Sequence, residues 1–177
     1  MENRHPNPAL RADCARCVAL CCVAPAFRRS ADFALDKPAG RPCPNLLADF
    51  RCGIHDSLPA RGFRGCTVYD CFGAGQRVTQ ETFGGRDWRS EPELAAPMFA
   101  VFPVVRVLHE LLRYLAEALT LPGAEPLRAE LRDALTRTDA LAAGTPDDLR
   151  SLDAEAHRAA VAPLLARAGA LARAAAG

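Results

Sequence analysis

From residue 90 to the C-terminus, apolar side chains recur every three or four positions. Leu94, Met98, Phe102, Val105, Leu108, Leu112, Leu115 and Leu119 form one such stripe; Leu127, Leu131, Leu135 and Leu141 form a second. Leu149, Leu152, Ala156, Ala160, Leu164 and Leu171 form a third. This spacing predicts three amphipathic helices, each with one face turned to a core. "SEPE" at 90–93 predicts an N-cap at Ser90 with Glu93 closing a capping box. Pro103 predicts a kink or restart in the first helix, and Gly144 a stop to the second. Thr145 before Pro146 predicts a capped start to the third, which Pro163 is expected to interrupt.

Residues 13–89 show no such period. Proline and glycine break the segment repeatedly ("DKPAGRPCPN", "GFRG", "CFGAGQ", "FGGRD"), and short helices joined by irregular loops are expected. The expected fold is therefore mainly α. Residues 1–12 are read as a flexible N-terminus and 13–89 as an irregular cysteine-rich domain stabilised by metal. Residues 90–177 are read as a three-helix antiparallel bundle, whose outer face could meet a protein partner.

Charge narrows the function classes. Residues 1–90 carry thirteen basic and nine acidic side chains, residues 91–177 nine and twelve, for a net charge of +1. Neither half has the basic stripe a nucleic-acid surface needs, so no nucleic-acid partner is expected. All the basic residues but Lys37 are arginine, which with the alanine and proline content gives an actinobacterial-like composition. No apolar leader opens the chain and no uncharged 18-residue apolar run occurs, so a cytoplasmic protein without a membrane partner is expected.

All eight cysteines fall between Cys14 and Cys71. "DCARCVALCCVAP" alone holds Cys14, Cys17, Cys21 and Cys22, and Cys43, Cys52, Cys66 and Cys71 follow. A core gains little from thiols over alanine or valine, so this density points to a soft-metal site, in zinc or an iron–sulfur cluster. If residues 14–22 were helical, Cys14, Cys17 and Cys21 would share one face. A disulfide framework suits the loop-rich composition but not a reducing cytosol, and unligated thiols would account for one or two positions, not eight. Cys43 ranks last as a ligand, since "RPCPN" sets it in a stiff loop expected at the surface. His55 follows Cys52 in "CGIH" at a C-x2-H spacing that zinc could use, and is a minor candidate. His5, His109 and His157 have no cysteine company. Gly73 and Gly75 in "CFGAGQ" lack the remainder of a phosphate-binding fingerprint and read as loop flexibility. No residue outside the thiols offers acid–base or nucleophilic chemistry, so a non-catalytic binding module is favoured. An iron–sulfur redox protein or enzyme component, and a thiol redox sensor, are the alternatives.

"CARCVALCC", Cys43 and "CGIHDSLPARGFRGCTVYDC" together resemble the YkgJ-type family of zinc- or iron-chelating cysteine-cluster proteins. The resemblance covers about residues 13–76 and implies that Cys14, Cys17, Cys21, Cys22, Cys43, Cys52, Cys66 and Cys71 chelate metal. His55 stands where the family often has tyrosine. The chain departs from the family by one extra residue before Cys21–Cys22 and by glycine, not proline, after Arg61. "DFRCGIHDSLPARGFRGCTVYDCFGAGQ" is also similar to the N-terminal segment of some actinobacterial pentapeptide-repeat proteins. The tandem repeats do not follow here, so their function is not implied.

Overall fold

A computed structural model describes residues 6–177. The protein is mainly α. Seven α-helices run α1 (Leu20–Val23), α2 (Arg64–Val68), α3 (Ala74–Arg77), α4 (Ala95–Ala118), α5 (Arg128–Ala142), α6 (Pro146–Ser151) and α7 (Ala154–Ala176). A π turn, Val78–Thr82, extends α3. Among the described residues extended pairing is limited to two isolated antiparallel bridges, Phe27 with Lys37 and Leu46 with Cys52.

The periodic second half forms helices where the stripes predict them, with three differences at their ends. Ser90 caps nothing: its amide donates to Asp87 Oδ1 at 2.8 Å, and α4 starts only at Ala95 after a 3₁₀ turn over Pro92–Leu94. The Asp87 carboxylate also accepts from the Arg89 amide, so it closes a local turn that competes with a Ser90 cap. Pro103 does not restart the helix. It lies on the exposed side of a continuous 24-residue α4, where its ring faces water. Pro163 is likewise exposed inside α7, and the chain instead breaks at Leu152–Asp153, where Asp153 accepts from the Ala156 amide and caps α7. The Thr145 cap forms as expected, with Asp148 completing a capping box.

Helix α4 organises the packing. Its C-terminal half buries Leu111, Leu115 and Ala118 against Leu127, Leu131 and Ala134 and against Val161 and Ala168 of α7. Its N-terminal half buries Met98, Val101, Phe102, Val105 and Leu108 against Val18, Leu20, Val23, Ala74 and Val78. The cysteine-rich segment and the long helix therefore share a core. Leu10 is buried as well, after a 3₁₀ turn over Pro8–Leu10 capped by Asn7. A third, smaller core gathers Phe27, Cys43, Leu58 and Phe63. Pro92–Ala118 and Ala154–Ala176 are each long and apolar enough, by length and composition, to cross a membrane; the apolar face of α4 is spent on the two larger cores.

Candidate metal centre

The segment carrying the first four cysteines is not one helix. Asp13 caps a single 3₁₀ turn, Cys14–Arg16, its Oδ1 accepting from the Ala15 amide at 3.0 Å. Cys17 is extended, and Ala19 takes a left-handed conformation (φ 58°) before α1 begins at Leu20. The chain thus reverses between Cys17 and Cys21, and the sulfurs come together through that reversal, not through helical period. Side chains from α3 and its extension hold the segment in place. Gln76 accepts from the Asp13 amide and donates to the Arg11 carbonyl, Gln80 donates to the Arg16 carbonyl, and the Val18 amide donates to Thr79.

Cys14, Cys17, Cys21 and Cys71 line a cavity of about 20 Å³, with Gly75 and Phe102 in its wall. Cys71 arrives from the turn before α3, where Phe72 (φ 51°) and Gly73 (φ 85°) are both left-handed. A Cβ on Gly73 would lie 2.0 Å from the Ala9 carbonyl oxygen, so only glycine fits there. A Cβ on Gly75 would lie 2.7 Å from Cys17 Sγ and 3.8 Å from Cys71 Sγ. The glycines of "CFGAGQ" are therefore places of close approach, not flexible loop. Burial raises both Cys17 and Cys71, opposed in part by the nearby backbone amides of Leu20 and Ala19 and of Gly75 and Gly73. Amide donors converging in a tight turn favour an anionic sulfur.

Cys22, Cys43, Cys52 and Cys66 meet on the other side of α1, all packed in the Phe27–Leu58–Phe63 core. The Cys43 amide donates to the Cys22 carbonyl at 3.0 Å, the Leu46–Cys52 bridge sets Cys52, and Cys66 comes from α2. Cys43 is buried, contrary to its expected place in a surface loop, because Phe27, Leu58 and Phe63 close over the "RPCPN" turn. Beside this group Lys37, the chain's lysine, is only 4% exposed. Its Nζ donates to the carbonyls of Val23, Pro25, Pro38 and Arg41 at 2.5–3.2 Å and lies 4.7 Å from the Phe27 ring centroid.

Burial sets the protonation of the metal-free thiols. Desolvation pushes Cys17 and Cys66 up to about 11 and raises Cys14, Cys43 and Cys71. Cys21 and Cys22 split: a hydrogen bond between their thiols raises Cys21 and lowers Cys22, and the Lys37 charge lowers Cys22 further. Among the described residues no three His, Cys, Asp or Glu side chains stand in position to hold a single ion. Four thiolates at about 2.3 Å from zinc would be about 3.8 Å apart, whereas neutral thiols have no charge to neutralise and no cause to close in. Thiols are the donors a soft metal takes, and any ion bound by them would displace their protons.

The histidines stand apart. His55 is exposed beside Asp56, their side chains 3.5 Å apart, and His5 lies outside the described residues. His157 Nε2 lies 2.9 Å from the Thr138 hydroxyl. His109 is 1% exposed, and burial lowers it to about 4, so its Nδ1 donates to the Phe72 carbonyl at 2.8 Å as a neutral ring. That bond ties the middle of α4 to the left-handed turn after Cys71. Gly75, Lys37 and His109 are the supporting residues that cysteine spacing did not reveal. For Lys37 a sequence signal did exist, as one lysine among arginines.

No family model matches the chain, and no solved structure matches it. Among curated proteins the chain is similar to the uncharacterized protein YybG of Bacillus subtilis (strain 168), with 47% identity over 165 residues. The match takes in 93% of this chain and 59% of YybG, so the chain spans about three-fifths of that relative's length.

Proposed function

We propose that this is a cytoplasmic metal-chelating cysteine-cluster protein of the YkgJ type, holding zinc or an iron–sulfur cluster and acting as a non-catalytic binding module. In this reading residues 13–89 are an irregular domain whose folding is coupled to metal, and residues 90–177 a three-helix antiparallel bundle that offers its outer face to a protein partner. The observation that carries the reading is the gathering of Cys14, Cys17, Cys21 and Cys71 around one small cavity. Packing needs no such arrangement. Burial raises Cys14, Cys17 and Cys71, and the hydrogen bond with Cys22 together with burial raises Cys21, so a soft cation held by the four would displace their protons. Besides the thiols the cavity wall carries one carboxylate, Asp13, which is committed as an N-cap to the Ala15 amide.

The test is anaerobic purification without chelator, followed by a visible spectrum and zinc and iron analysis of one sample. Stoichiometric metal with the chain supports the reading. A broad absorption near about 400 nm with iron assigns an iron–sulfur cluster, and colourless protein with zinc assigns thiolate zinc. Metal-free protein that also takes up neither zinc nor iron overturns it.

A further inference from the structure

Successive residues of a helix point about 100° apart, so the adjacent Cys21 and Cys22 pack against different neighbours. In α1 they do so: Cys21 packs with Cys17 and Cys71 into the core shared with α4, and Cys22 packs with Cys43, Cys52 and Cys66 around Phe27. We propose that the eight thiols form two separate four-thiolate metal centres, one of Cys14, Cys17, Cys21 and Cys71, the other of Cys22, Cys43, Cys52 and Cys66. The proposal rests on the metal-chelating reading above and assigns its ligands.

Three observations carry the partition. Each set is a complete tetrad, which closes a thiolate coordination sphere without help from His55 or a carboxylate. Each set draws on separate pieces of chain: the 3₁₀ turn, α1 and the α3 turn for the first, and α1, the "RPCPN" turn, the Leu46–Cys52 bridge and α2 for the second. The two sets are nearest at the adjacent Cys21 and Cys22, and Cys22 also lies close enough to act on Cys14. The third observation is charge. Four thiols that bind one divalent ion and release four protons to solvent leave a centre of charge −2, and two such centres side by side repel. Among the described residues no carboxylate pairs with the buried Lys37 ammonium, which stands 4.7 Å from the centroid of the Phe27 ring that packs with the second set. Its four carbonyl partners fix it at the second centre, so Lys37 is the counter-cation built into that centre, a positioning residue and not a ligand.

The full chain, reduced, loaded anaerobically with zinc and freed of excess, tests the partition. Zinc per chain is measured, and N-ethylmaleimide is applied across graded EDTA, with each modified cysteine placed by peptide fragmentation. Two zincs are expected, with protection lost in two blocks of four. The block containing exposed Cys14 opens first, and Cys21 and Cys22 fall in different blocks. A Cys43→Ser/Cys66→Ser variant, its helices checked by circular dichroism, is expected to keep one zinc and protection at Cys14, Cys17, Cys21 and Cys71. One zinc per wild-type chain, Cys21 and Cys22 in one block, or loss of both zincs in the variant with its helices intact overturns the partition and leaves the chelating reading standing. No zinc and no protection in the wild type overturns both.

Discussion

Replacing Gly75 by alanine gives opposite results with and without metal. The added Cβ would stand 2.7 Å from Cys17 Sγ, where van der Waals contact wants about 3.5–4.0 Å, so one partner must give by about 1 Å. In metal-free protein the thiol can turn about χ1 at a cost of about 0.5–1.5 kcal/mol. Alanine offsets this by up to about 1 kcal/mol through its better helix propensity in α3. Thermal melting in EDTA should therefore hardly move. In loaded protein the sulfur is pinned by the metal, and the clash costs an overpacked core's ~1–3 kcal/mol. At about 1.4 kcal/mol per decade that is about 5- to 150-fold weaker binding at the centre containing Cys17 and Cys71. Competition against a chromophoric chelator at fixed pH, on wild type and Gly75→Ala, measures it directly. Equal affinity in the two proteins, or a melting loss in EDTA as large as that in metal, refutes the placement of Cys17 as a ligand pressed against Gly75.

Three further outcomes follow from the same contacts. Because burial lifts Cys17 and Cys66 to about 11, zinc must displace protons at neutral pH, so zinc affinity should rise steadily between about pH 6 and 9 in a chelator competition series; a flat profile would exclude buried thiols as ligands. His109 binds its proton at about 4 in the fold against about 6.5 unfolded, so the unfolded chain takes up protons first as pH falls. Stability should then drop by about 3 kcal/mol between about pH 6.5 and 4 in denaturant titrations. His109→Gln should flatten that part of the profile, and an unchanged slope would remove His109 as its source. Leu115, fully buried where α4 meets α5 and α7, should cost about 2–5 kcal/mol when cut to alanine, read by urea melting, with zinc content unchanged.

The half of the chain with a clear period is the half that sequence alone determined. Three-to-four-residue recurrence specifies which faces of α4 and α5 are buried, because a helix repeats its geometry locally, and the Thr145–Asp148 capping box follows from residues three apart. Where local signals competed, neighbours decided. Asp87 closed a turn that took Ser90 from the α4 cap, and Pro103 and Pro163 were accommodated because both face solvent. The cysteine density was plain in the sequence and singled out residues 14–71 as the candidate site proposed above. Spacing could not sort the eight, since Cys71 reaches Cys14, and Cys66 reaches Cys22, only through the folded loops between them. Those loops have no period to read. Their course depends on the left-handed turns at Ala19, Phe72 and Gly73, on the carbonyls gathered by Lys37, and on α4, which gives the thiol segment a core it could not build alone. Local repetition determined the helices; long-range closure, which no short window of sequence contains, decided where the sulfurs meet.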